Sequence, residues 1–156
     1  MSHSRIFQLA KSADADPVPA DAYADDFDYV TPIDETGALE WLASTTSDVL
    51  DVDVEARVIR VKNLGAWRRE RMMLVTRAAL ELAHAALAST LSDEPWSRAA
   101  SDVATRRWNL NELFGSTSGF YVDPGWGCTT PLESYLLDDA QDGETWHVIA
   151  TYDYHI

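Results

Sequence analysis

The chain has 156 residues, 46% of them apolar and 24% charged, and a formal net charge of −14 at pH 7. Its length and apolar fraction suit a single globular domain spanning 1–156 with its own core, and exclude a wholly disordered chain. The acidity, with a pI of about 4.4, argues against nucleic acid or an anionic membrane as partner, because both need clustered Lys and Arg on an accessible face.

In chain order, Ile6-Phe7-Gln8-Leu9 predicts a first strand, ended by the polar Lys11-Ser12-Ala13-Asp14. Residues 12–30 hold Pro17, Pro19 and six aspartates and predict a loop-rich acidic segment, anchored where Tyr23, Phe27 and Tyr29 find pockets. Thr31-Pro32 predicts a helix start, with Thr as N-cap and Pro at the first helical position. This helix carries Leu39, Trp41 and Leu42 and stops by Ser44-Thr45-Thr46. Val52, Val54, Ala56 and Val58 alternate with charged residues, and beyond Val58 the apolar parity switches to Ile59 and Val61. The run therefore contains a bulge or two strands broken near Glu55.

Asn63 is the expected cap of the strongest helix, 65–90, whose charged residues Glu70, Arg77, Glu81 and His84 fall on one narrow stripe. Ala79, Ala83 and Ala86 form a small-residue face flanked by Leu80 and Leu87 on one side and Val75 and Leu82 on the other. A helix this apolar is expected at the centre of the fold, or else with one flank in a homodimer interface through 65–90. A shorter helix at 95–106 and a helical turn at 109–114 follow. Gly119-Phe120-Tyr121-Val122 predicts a strand, and Thr130-Pro131-Leu132-Glu133 a capping box opening a short helix. Asp142-Gly143 predicts a turn and Thr145 to His155 a final strand. The sum is an α+β fold: a mostly antiparallel sheet of about four or five strands packed on one long central helix with shorter helices.

Charge is segregated along the chain. Residues 12–55 carry thirteen Asp/Glu and residues 108–156 carry eight, with no Lys or Arg in either block, whereas 56–107 holds ten basic residues against five acidic. Arg outnumbers Lys ten to two, a bias of the kind a GC-rich bacterial genome imposes. The single Cys128 excludes an internal disulfide and fits a cytoplasmic protein. The N-terminus lacks a signal-peptide core, and the apolar run 72–91 is interrupted by Arg77, Glu81 and His84, so no membrane span is expected.

Three constellations carry candidate chemistry. Arg68, Arg69 and Arg71, beside Trp67, crowd the first turns of the long helix, where cations oppose the macrodipole. They either pair with the carboxylates of 12–55 or form a site for an anion. The loop Asp123-Pro124-Gly125-Trp126-Gly127-Cys128 sets one Trp between glycines, either folded back on the core or presented as a contact anchor, and Cys128 is a weak nucleophile candidate. In the last strand, parity puts His147, Ile149, Thr151, Asp153 and His155 on one face, where Asp153 and His155 are weak acid–base candidates. His147 and His155 stand roughly 26 Å apart along a straight strand, too far to share an ion. The chain has no glycine-rich phosphate loop, no His-Glu-x-x-His, no Gly-x-Ser-x-Gly and no Cys-x-x-Cys. No cofactor or metal is therefore expected, and an enzyme is less expected than a binding protein. The favoured expectation is a small acidic protein that binds a basic protein partner. The alternatives are a small-ligand protein or enzyme, sited near Trp126/Cys128 or at Arg68/Arg69/Arg71, and a nucleic-acid mimic.

Overall fold

A computed structural model of the chain describes residues 4–23, 29–91, 104–105 and 119–155. In chain order the elements are β1 (Ser4–Ala10), a 3-10 turn (Ala20–Tyr23), β2 (Tyr29–Pro32), α1 (Glu35–Thr45), β3 (Leu50–Asp53) and β4 (Val58–Val61). They continue with α2 (Leu64–Leu91), β5 (Phe120–Asp123), β6 (Thr130–Pro131), α3 (Leu132–Asp138) and β7 (Thr145–His155). The expected helix at 95–106, apart from two helical residues at 104–105, and the turn at 109–114 lie outside the described residues.

The α+β class holds, but the sheet has seven strands and is mixed. β7 is its spine. One edge of β7 pairs antiparallel with β1 along most of its length; the other is shared by β4 at residues 145–147 and β2 at residues 152–155. The far edge of β1 takes β5 in parallel, and β6 closes that side. A parallel pair cannot be made by a hairpin, and β1 ends at Ala10 while β5 begins at Phe120. The extra strands come from three places. The 50–61 run splits into the β3–β4 hairpin, with Arg57 in its turn at φ 55°. Both Thr-Pro dipeptides, expected to start helices, lie instead in the short edge strands β2 and β6. Proline forces its predecessor toward extended backbone and is tolerated at a sheet edge, and here that preference wins over the capping pattern. α1 starts three residues after Pro32, capped by the Asp34 carboxylate, which accepts from the Thr36 N–H.

A bulge between the β1 partners Gln8 and Leu9 resets the parity of β7, since Gln8 faces Ala150 but Leu9 faces Val148. Trp146 and Val148 therefore join the main core with Phe7, Leu9, Leu39, Leu42 and Phe120. Beyond the bulge, Tyr152 and Tyr154 turn to the opposite face and pack with Ile6 and Tyr23. The expectation of one unbroken two-residue period from His147 to His155 fails at Ile149 for this reason.

The long helix is present, 28 residues in α2, but it is not central. Among its described side chains only Leu64 and Trp67 enter the main core, while Met73 and Leu80 are 67% and 65% exposed. Asn63 adopts a left-handed φ of 53°. The first helical N–H, that of Leu64, is satisfied by the Asp142 carboxylate at 3.0 Å, from the turn before β7. Among the described residues, no helix is long and apolar enough to cross a membrane.

Candidate binding surface

Asp123 ends β5 with its side chain 2% exposed, and its carboxylate organises the loop that follows. Oδ1 accepts the backbone N–H groups of Gly125, Trp126 and Gly127 at 3.0, 2.8 and 3.2 Å. Gly125 and Gly127 take φ of 91° and 72°, and a Cβ at either would meet nothing within 4 Å. Glycine is required here for its dihedrals rather than for room. Oδ2 accepts the Tyr23 hydroxyl at 2.8 Å, and that hydroxyl in turn accepts from Gln8 Nε2 at 2.7 Å. Gln8 closes the network on the backbone of Val18, accepting from its N–H and donating to its carbonyl. Burial, reinforced by the hydrogen bond and charge of Asp123, raises the Tyr23 hydroxyl far above its ordinary range, so it stays a donor. Every member of this chain from β1 to the loop finds a partner, the condition under which a buried polar network is rigid rather than costly.

What the network holds still is Trp126, whose side chain is not folded away but 51% exposed. Its ring meets Tyr135 of α3 edge-on at 6.0 Å, and Tyr135 meets Trp146 of β7 at 6.4 Å. The Lys11 ammonium lies 3.6 Å from the centroid of Trp146 and pairs with Glu144 at 2.9 Å. Glu144 also accepts the Tyr135 hydroxyl at 2.9 Å, and burial, reinforced by that bond, raises the hydroxyl's pKa. Trp126 is thus the exposed end of an aromatic row whose other members are fixed in the core. One turn past Tyr135, Asp138 and Asp139 are exposed, and among the described residues neither forms an ion pair. Cys128 is exposed on the same loop and makes no hydrogen bond among the described residues.

The three candidate arginines of α2 do not converge. Arg68 donates to the carbonyls of Leu136 and Ala140 at 2.9 and 2.8 Å, closing the C-terminal end of α3. Arg69 lies back along its own helix, with Nη1 3.7 Å from where a Gly65 Cβ would stand. Arg71 pairs with Glu133 at 3.3 Å and stacks 5.2 Å from the centroid of Trp67. Trp67, Arg71, Phe120, Leu132, Glu133 and Leu136 line a cleft of about 90 Å³. Burial raises the Glu133 carboxyl pKa and the Arg71 charge pulls it back. Pockets that enclose a whole small molecule usually measure about 300–1,000 Å³, so this cleft is suited at most to a side chain or a few atoms. Earlier in the basic block, Arg57 pairs with Glu35 at 2.7 Å and Arg60 with Asp51 at 4.0 Å.

On β7, Asp153 pairs with Arg5, and the side chain of its candidate partner His155 lies outside the described residues. The bulge puts His147 and Asp153 on opposite faces, and the backbone of His155 pairs with Tyr29. Among the described residues no group of three His, Cys, Asp or Glu side chains is placed to hold a metal ion. The sequence reading did not find Gln8, Tyr135 and Glu144. Gln8, a polar residue between apolar strand positions, did carry a signal, because a polar side chain in a buried strand needs a built partner. Tyr135 and Glu144 look like an ordinary helix-face and turn residue until the fold joins them. A scan against protein-family models, a search of curated proteins and a search of solved structures each find no match.

Proposed function

We propose that the protein works by binding another protein, and that Trp126 is the anchor of the contact. The observation that carries this reading is a large aromatic side chain, half exposed, on a loop whose three amides are tied to one buried carboxylate. Exposing an indole costs solvation, whereas fixing its backbone beforehand removes an ordering cost that binding would otherwise meet. Buried tryptophans at interface centres are the commonest source of large binding losses on truncation. The partner is a basic protein, since the chain carries a net charge of −14 and the exposed Asp138 and Asp139 form no ion pair among the described residues. Asp138 and Asp139, one turn past the Tyr135 on which Trp126 packs, supply a negative field. Such a field speeds encounter with a cationic surface and selects against acidic ones.

The test compares the native chain with Trp126→Ala and Asp123→Ala as baits in lysate from the source cell, followed by titration of the purified captured protein. The expected partner is basic and loses about 30-fold in affinity (~2 kcal/mol) with Trp126→Ala. Asp123→Ala leaves the indole in place but frees its loop, and should cost less than Trp126→Ala. Raising salt weakens the complex mainly through the association rate. Capture of the same proteins at the same affinity by native and Trp126→Ala baits would refute the reading.

A further inference from the structure

Among the described residues, α2 carries most of the exposed large apolar side chains, which the Trp126 reading leaves unexplained. Arg71, Val75, Ala78, Leu82 and Ala85 form the half-buried stripe of this helix. Directly opposite, Met73, Leu80 and Leu87 recur every seven residues at 67%, 65% and 59% exposure, with Met72 beside them at 55%. A seven-residue apolar repeat is the pattern by which one helix follows another. Apolar side chains left in water over this length mark a contact surface.

We infer that this face is the contact between two copies of the chain, with the two α2 helices running antiparallel. The charges on the flank of the apolar row decide both the occupant and the direction. Glu70 and Arg77 are one heptad apart, opposite in sign and exposed, and neither forms an ion pair among the described residues. A two-fold axis crossing the helix beside Met73 and Leu74 sets Glu70 of each copy against Arg77 of the other, so the patch complements itself. A parallel pair would set Glu70 on Glu70 and Arg77 on Arg77. The rest of the molecule makes the same choice. With a net charge of −14, two copies repel over most of their surface. α2 lies in the one block where basic residues outnumber acidic ones, so it is where copies approach without that penalty.

In this register residues 64–83 overlap, about 30 Å of helix at 1.5 Å per residue, and Leu87 falls about one turn beyond. A single helix pair of this length sits at the small end of specific interfaces, so a dissociation constant of about 1–100 μM is expected. The contact is separate from Trp126 and does not rest on the proposed partner.

Sedimentation equilibrium from about 1 to 300 μM tests the proposal across this range. The native chain should shift from 17.4 kDa to twice that mass. Arg77→Glu should raise the dissociation constant about tenfold, because one substitution turns two attractive contacts into two repulsions. Adding Glu70→Arg to Arg77→Glu should restore the native value, and Trp126→Ala should leave it unchanged. Circular dichroism of each variant checks that α2 remains folded. A chain that stays monomeric throughout overturns the proposal, as does a dimer that ignores Arg77→Glu. A dimer weakened by Arg77→Glu but not rescued by the double exchange overturns the antiparallel register.

Discussion

Glu144 shows how one side chain couples parts of the fold that lie far apart in sequence. Its carboxylate accepts from the Lys11 ammonium at 2.9 Å, the Tyr135 hydroxyl at 2.9 Å and the Gln141 N–H at 3.2 Å. Burial alone would raise its pKa, but these three donors outweigh burial and the value is lowered. A carboxylate with a folded pKa below its unfolded one adds stability that is complete above the unfolded pKa and is lost as pH falls through the folded value. Glu144→Gln should therefore destabilise the protein by about 1–2 kcal/mol at pH 7. The difference from the native chain should close as pH falls through the lowered folded value, where the native carboxylate also protonates. Urea unfolding at several pH values measures it, and a pH-independent gap would show that shape rather than charge is what Gln fails to supply. Most of the loss belongs to Tyr135, because Lys11 is 62% exposed and its pairing is screened. None of this was legible from sequence, where Lys11 and Glu144 are two isolated charges. Asp123 was half legible. Asp-Pro-Gly announces a turn in which the Asp side chain binds backbone, but nothing in the chain says that its second oxygen belongs to Tyr23.

At the scale of elements, the start of α2 is held from outside the helix. Asn63 precedes it and was the expected cap, yet Asn63 has a left-handed φ and the Leu64 N–H finds Asp142 instead. Asp142→Ala should cost about 1 kcal/mol of stability and speed amide exchange at Leu64, whereas Asp142→Asn should retain most of both. Exchange by NMR reads the second effect, and an unchanged Leu64 rate in the Ala variant would assign the cap to another group. The first Thr-Pro dipeptide was misread through the same limitation, and at the second only the capping bond was, since α3 opens directly after Pro131 as expected. A threonine before proline fits a helix N-terminus and an extended edge strand equally well, and only the presence of β7 and β5 as neighbours decides for the strand. Periodicity did better where an element pairs with its sequence neighbour, as in the β3–β4 hairpin with its break near Glu55. It failed along β7, whose bulge at Ile149 is set by the register against β1. For α2 the helix was plain in the sequence but its centrality was not. An apolar circumference says that a helix will be covered, and the cover can be the chain's own core or a second molecule.

At the scale of the whole molecule, described arginines of the basic block pair with carboxylates of both acidic blocks. Arg57 and Arg60 reach back to Glu35 and Asp51 of the first acidic block, while Arg71 reaches forward to Glu133 of the last. The segregation seen along the chain is therefore partly a wiring pattern, and Glu133, Glu144 and Asp153 of the last block are themselves paired with cations from outside it. The magnitudes decide how this charge acts on stability. Arg60 and Asp51 are 58% and 64% exposed at 4.0 Å, and a pair like that contributes at most a few tenths of a kcal/mol. Repulsion among the surplus carboxylates, by contrast, extends over about 30 Å in 0.01 M salt and only about 8 Å in 0.15 M. Added salt should then stabilise this protein, since it screens more repulsion than attraction. Between these two ionic strengths the melting temperature should rise, by roughly 2–4 °C for each kcal/mol of repulsion removed. Scanning calorimetry at about 5 μM, repeated at a higher concentration, separates this effect from salt-assisted dimerisation, because only the latter depends on protein concentration. A melting temperature that falls with salt would mean that the cross-block ion pairs, and not the net negative charge of the chain, dominate the electrostatics of the fold.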